Sequence, residues 1–156
     1  LVVNHLPIIF PVVGVIILLI GIFTKSDVSK RNAYIVFILG AVASVAAMAT
    51  GEGAEDAIEN IQGVSENLMH RHEEAAEIFA GMSYFLGAVS LLGFLTSYRN
   101  FSLDKLMPVT ILIGGGGALS FAQEAGRTGG EIRHTEIRSA ANIQNVLGNS
   151  GEDQDD

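Results

Sequence analysis

The 156-residue chain has no cysteine, no tryptophan and only three prolines. Without cysteine there can be no structural disulfide, no thiolate metal ligand and no covalent attachment of a c-type haem. A cysteine nucleophile is excluded for the same reason, and the serines, histidines and acids form no recognisable hydrolytic constellation. We therefore expect no independent enzymatic activity and interpret the chain as an electron-transfer or accessory subunit.

Charge is also absent from four long stretches, at residues 6–24, 33–51, 78–98 and 106–123. Each is close to the roughly 20 residues that a helix needs to cross a hydrocarbon core. We predict an all-α fold, a four-helix transmembrane bundle, with spans at about 6–24, 32–51, 75–98 and 106–124. The first run does not resemble a signal peptide, because no small-residue cleavage site follows it.

The connections between these spans differ in charge. The links at 25–32 and 99–105 carry five basic residues against two acidic ones, a net charge of +3, whereas the opposite side has four arginines against fifteen acids, a net charge of −11. An excess of lysine and arginine in short loops marks the cytoplasmic side. The sequence therefore predicts a multi-pass protein of the bacterial inner membrane with both termini in the periplasm.

Outside the spans, the outward side is predicted to carry short interfacial helices. Residues 54–64 have an amphipathic pattern, and residues 131–147 follow an expected break at 124–130. We expect one membrane domain over residues 1–147, followed by an acidic disordered tail at 148–156.

All four histidines fall on the outward side: His5, His70, His72 and His134. At about 100° per residue, His70 shares a helix face with acids, whereas His72 aligns with the apolar Ala75 and Phe79. We therefore expect His70 to be solvated and His72 to face the bundle. On the fourth helix we expect a matching polar stripe that faces His72. It consists of Gly116, Ser120, Gln123 and Arg127.

Imidazoles at the mouth of a bundle can bind haem iron, bind another metal or handle protons. A haem b site would use His72 and His134. A metal site for Cu, Fe or Zn would use His5, His72 and His134, with Glu73 or Glu124 as a possible carboxylate ligand. With no cofactor, the histidines would instead hydrogen-bond to loop backbone and hold the helix ends.

Other residues also allow two interpretations. Glu52, Glu55, Asp56 and Glu59 form either a solvated face or a docking surface for a basic cytochrome. Glu77 and Glu124 lie in or beside a span, where acids are often functional but can also reach the interface. The glycines at 114–117 favour close helix packing over a cofactor cradle.

Several short motifs resemble DUF2231, a family of small bacterial membrane proteins known mainly as a domain of unknown function. They are "NHLPIIFPVVGVIILL", "TGEGAED", "HEEAAE" and "GGEIRH". The resemblance implies a four-helix membrane domain whose family histidines correspond to His5, His72 and His134, with His70 outside the pattern. It also implies a link to electron transport, since relatives are joined at times to cytochrome c or Rieske-type modules, for which this chain lacks the cysteines.

The sequence thus predicts an integral membrane subunit that binds haem b or a transition metal at its periplasmic face, for electron transfer in a respiratory assembly. The alternative is a cofactor-free structural subunit of a larger membrane complex. A third hypothesis is a proton or ion pathway through Glu77, Glu124 and the histidines. The expected partners are membrane lipid and either other membrane subunits or a periplasmic cytochrome, with no nucleic acid.

Overall fold

A computed structural model describes residues 2–58, 66–98 and 106–133. They form four helices: α1 (Val2–Phe23), α2 (Asp27–Ile58), α3 (Glu66–Thr96) and α4 (Met107–Arg133). The helices pack in chain order, and α4 closes the ring against α1. The predicted all-α four-helix bundle is confirmed.

The turn between α1 and α2 shows why these helices run antiparallel. Lys25 adopts a left-handed backbone conformation, with φ of 54°, which reverses the chain. Ser26 then caps α2, because the Ser29 amide donates to the Ser26 Oγ at 3.2 Å. Asp27 adds a negative charge in the first turn, where the helix dipole favours it.

The centre of the bundle is filled by large side chains that pack against glycine. Tyr34 and Phe37 of α2 are both 1% exposed. A Cβ on Gly14 of α1 would come within 2.7 Å of the Phe37 ring, and a Cβ on Gly115 of α4 within 3.4 Å. Glycine at these two positions therefore lets one aromatic ring fit among three helices.

The outer surface is apolar, as expected for a protein whose solvent is lipid. Ile16, Phe85 and Leu92 are 52%, 61% and 57% exposed, while Ser44 and Ser83 are buried. Both buried hydroxyls donate to backbone carbonyls one turn earlier, at 3.0 and 2.9 Å. These two hydroxyls are thus satisfied inside the bundle, and large apolar groups face outward.

Three helices are long and apolar enough to cross a membrane, over His5–Phe23, Asp27–Gly51 and Asn67–Thr96. Helix α4 packs beside them but is not among these three, since four glycines dilute its apolar segment and Gln123 and Glu124 follow it. The fourth predicted span, 106–124, therefore stays a prediction, although its residues belong to the same bundle.

The structure corrects two expected boundaries. Residues 54–58 continue α2 instead of starting a separate interfacial helix, and α4 runs without a break through 124–130 to Arg133. The glycines in 124–130 predicted a break from their low helix propensity, but packing against α3 holds this segment helical. The remainder of both predicted interfacial helices, and the acidic tail, lie outside the described residues.

Candidate functional site

His72 lies at the end of the bundle where α1 and α3 begin. It is half-buried, whereas His70, two residues earlier on α3, is exposed. One turn to either side, Leu68 is buried and Ala75 packs against the cluster of Phe79, Ala122 and Ala125. The predicted contrast between the two histidines is confirmed: His72 faces the bundle and His70 faces outward.

A hydrogen bond fixes the orientation of the His72 ring. Its Nδ1 lies 3.1 Å from the Thr128 Oγ1 on α4. Thr128 is itself 3% exposed, and its hydroxyl also lies within hydrogen-bond distance of two backbone carbonyls of α4. The imidazole is therefore held by a side chain that has little freedom to move.

Gly129 brings the His72 ring against the backbone of α4. A Cβ at this position would lie 2.9 Å from the imidazole Cε1 and 3.5 Å from Nε2. No side chain larger than hydrogen fits there unless the ring moves. Thr128 and Gly129 together form a seat for the ring, and we call the three residues His72, Thr128 and Gly129 the histidine seat.

A buried carboxylate lies on α4 just beyond the histidine seat. Glu131 is 3% exposed and forms an ion pair with Arg127, which also pairs with Glu124. The Arg127 Nε donates to Glu124 at 3.0 Å. The hydrogen bond that Arg127 donates to Glu124, together with the nearby charge of Glu131, raises the pKa of the Arg127 guanidinium above its ordinary value.

Sequence reasoning missed Thr128, Gly129 and Glu131, because it placed a break there. The signal was present: the buried positions of α4 before Glu131 are 108, 111, 115, 118, 122, 125 and 128, and the same spacing leads to Glu131. A helical period that continues through glycines would have included these residues in the bundle.

The polar stripe predicted to face His72 lies on the wrong side of α4. Gly116, Ser120, Gln123 and Arg127 are all exposed, and the inner face is made by Gly115, Ala118, Ala122 and Ala125 instead. At roughly 100° per residue, the two faces are centred about 150° apart around the helix axis. Alanine and glycine allow α3 and α4 to approach closely, which decides the rotation in favour of the smaller side chains.

The glycine run at 114–117 does not form a cofactor cradle. A Cβ on Gly115 would meet Val15 at 2.9 Å, and Leu86 and Met82 lie near Gly114 and Gly117. Side chains of this protein thus occupy the space beside three of the four glycines. The preferred interpretation, close helix packing, is confirmed, and a haem has no room at this level.

Among the described residues, the others predicted to bind a cofactor or metal do not share the half-buried position of His72. His5 is exposed at the same bundle end as His72, and Glu73 and Glu77 are exposed on α3. Glu124, whose side chain is 50% exposed, pairs with Arg127. His134 lies outside the described residues, as do the side chains of Glu52, Glu55, Asp56 and Glu59. The pairing of His72 with His134 therefore stays a prediction.

Within the described ranges, no group of three or more histidine, cysteine or acidic side chains could hold a metal ion. The histidine seat offers one oriented imidazole, so a complete metal or haem site would need further ligands from outside those ranges. The interior of the bundle does not fit a haem, because Tyr34, Phe37 and Leu86 fill it. Any bound group would have to lie at the rim, beside His72.

Comparison with known proteins finds no match to this chain among family models, curated proteins or solved structures. The resemblance to DUF2231 is therefore neither supported nor contradicted.

Proposed function

We propose that this protein is a four-helix membrane subunit that binds haem iron or another transition metal at its outward rim through His72, and that it serves electron transfer. One observation carries the proposal: His72 is half-buried, faces the bundle and is held by Thr128 over Gly129. Imidazoles that ligate metals are commonly oriented in this way, by a hydrogen bond from the ring nitrogen that does not bind the metal.

The second ligand would be His134, which follows α4 by one residue. A Cβ at position 129 would lie 2.9 Å from the His72 ring, so glycine there lets the ring lie against α4. The bound metal would supply the redox chemistry. Thr128 would orient the imidazole that binds the metal. The apolar cluster of Phe79, Ala122 and Ala125 would close the site on the side that faces the bundle interior.

The experiment is an absorption spectrum and a metal analysis of the full chain purified in detergent. We expect a Soret band or a stoichiometric metal, lost in His72→Ala and His134→Ala but kept in His70→Ala, an exposed histidine on the same helix. If His5→Ala also loses the metal, the three-histidine metal site is favoured over haem. A wild-type sample with neither a Soret band nor a stoichiometric metal would contradict the proposal.

A second candidate, a cofactor-free subunit of a larger complex, is favoured by the outer face of α4. Gly116 is exposed with open space around it, and Ser120 lies one turn away on the same face. Small residues on a lipid-facing surface let another helix approach closely. Helix α4 is also the helix that is least suited to face lipid alone.

This candidate predicts that Gly116→Leu releases the protein from a detergent-extracted complex while the bundle stays folded. Gly81→Leu is the matched control, since Gly81 of α3 is also exposed with open space around it. Native electrophoresis of membrane extracts measures the difference. Equal migration of the wild-type and Gly116→Leu proteins would count against this candidate.

A further inference from the structure

The hydrogen bond between His72 and Thr128 has a direction that the neighbouring carbonyls decide. The Thr128 Oγ1 lies 3.0 Å from the Glu124 carbonyl oxygen and 3.1 Å from the Ala125 carbonyl oxygen. Carbonyl oxygens only accept hydrogen bonds, and a hydroxyl has a single proton to donate. A threonine inside a helix usually donates this proton to such a backbone carbonyl.

When Thr128 donates to the backbone in this way, its oxygen accepts a hydrogen bond from His72. The Nδ1 of His72, 3.1 Å away, must then carry a hydrogen. In a neutral imidazole only one nitrogen is protonated, so the lone pair is on Nε2. A neutral histidine side chain in water favours the opposite form, with the hydrogen on Nε2.

We propose that Thr128 is a positioning residue that holds neutral His72 as its Nδ1–H tautomer, with the lone pair on Nε2. The metal-binding consequence rests on the proposed function: the bond to iron or another metal would be made by Nε2, while Nδ1–H stays on Thr128. Because Thr128 is 3% exposed, water cannot readily replace its hydroxyl as the acceptor.

The test is a nitrogen-15 NMR spectrum of the histidine side chains, because protonated and unprotonated ring nitrogens differ widely in chemical shift. The full chain is labelled on histidine, freed of any bound metal or haem and measured at a pH at which imidazole is neutral. His72→Asn assigns the signals of His72. We expect the Nδ1–H tautomer in the wild-type protein and in Thr128→Ser, which keeps the hydroxyl.

Thr128→Val has nearly the same shape but no hydroxyl, and we expect it to shift His72 to the Nε2–H tautomer. Thr110→Val is the matched control, since the Thr110 hydroxyl of α4 also donates to a carbonyl one turn earlier, that of Leu106, but is exposed. It should leave His72 unchanged. If Thr128→Val does not fold, Thr128→Ala removes the same hydroxyl without adding a methyl group.

An Nε2–H tautomer in the wild-type protein, or an Nδ1–H tautomer that persists without the hydroxyl, would overturn the inference. Its failure is distinguishable from that of the proposed function. A protein that contains no metal or haem when purified, but shows the Nδ1–H tautomer, would defeat only the proposed function. A protein that binds a metal through His72 but shows Nε2–H in its metal-free form would defeat only the role of Thr128.

Discussion

At the scale of single residues, Gly129 shows how one missing side chain positions a functional group. Gly129→Ala would place a Cβ 2.9 Å from the His72 ring, which must move or tilt away from Thr128. Overpacking of this kind costs about 1–3 kcal/mol, more than the roughly 1 kcal/mol that alanine adds in helix propensity. We expect Gly129→Ala to lower the free energy of unfolding in detergent. Gly126→Ala, with open space on the same helix, should raise it or leave it unchanged, and equal effects of the two substitutions would contradict this account.

At the scale of helices, the crossing of α2 and α3 depends on two small residues. A Cβ on Gly87 would lie 2.5 Å from the Cβ of Ala41, so the two backbones would have to separate. We expect Gly87→Ala to destabilise the bundle by about 1–3 kcal/mol, measured by unfolding in mixed detergent. Gly81→Ala, one and a half turns earlier on α3 in open space, provides the control and should be neutral or stabilising. A neutral Gly87→Ala would show that this close approach does not hold the helices together.

At the scale of the whole molecule, the predicted orientation in the membrane can be tested because the chain has no cysteine. Single cysteines at exposed Lys25 and Glu74, which lie at opposite bundle ends, give one reporter for each side. Because the links near Lys25 are basic, we expect Lys25→Cys to react with a membrane-impermeant maleimide only after the inner membrane is opened. Glu74→Cys should react in cells whose outer membrane alone is permeable. The reverse pattern would place the histidine seat in the cytoplasm.

The sequence by itself determined the helical bundle, the apolar surface of three of its helices and the inward orientation of His72. These properties are local: lipid requires long uncharged runs, and the small apolar stripe of α3 continues directly from His72. The antiparallel order also predicts that His5 and His72 lie at the same bundle end, which the structure confirms for these two residues.

Only the tertiary structure decided the rotation of α4 and the surroundings of His72. In a water-soluble bundle the apolar face of a helix marks the core, but in lipid both faces can be apolar, so hydrophobic periodicity hardly distinguishes them. Close packing determines which face of α4 points inward: Gly115 lies against Val15, and Gly129 lies against His72. Thr128 escaped prediction because a break was expected at 124–130, and its contact with His72 exists only because α3 and α4 lie side by side.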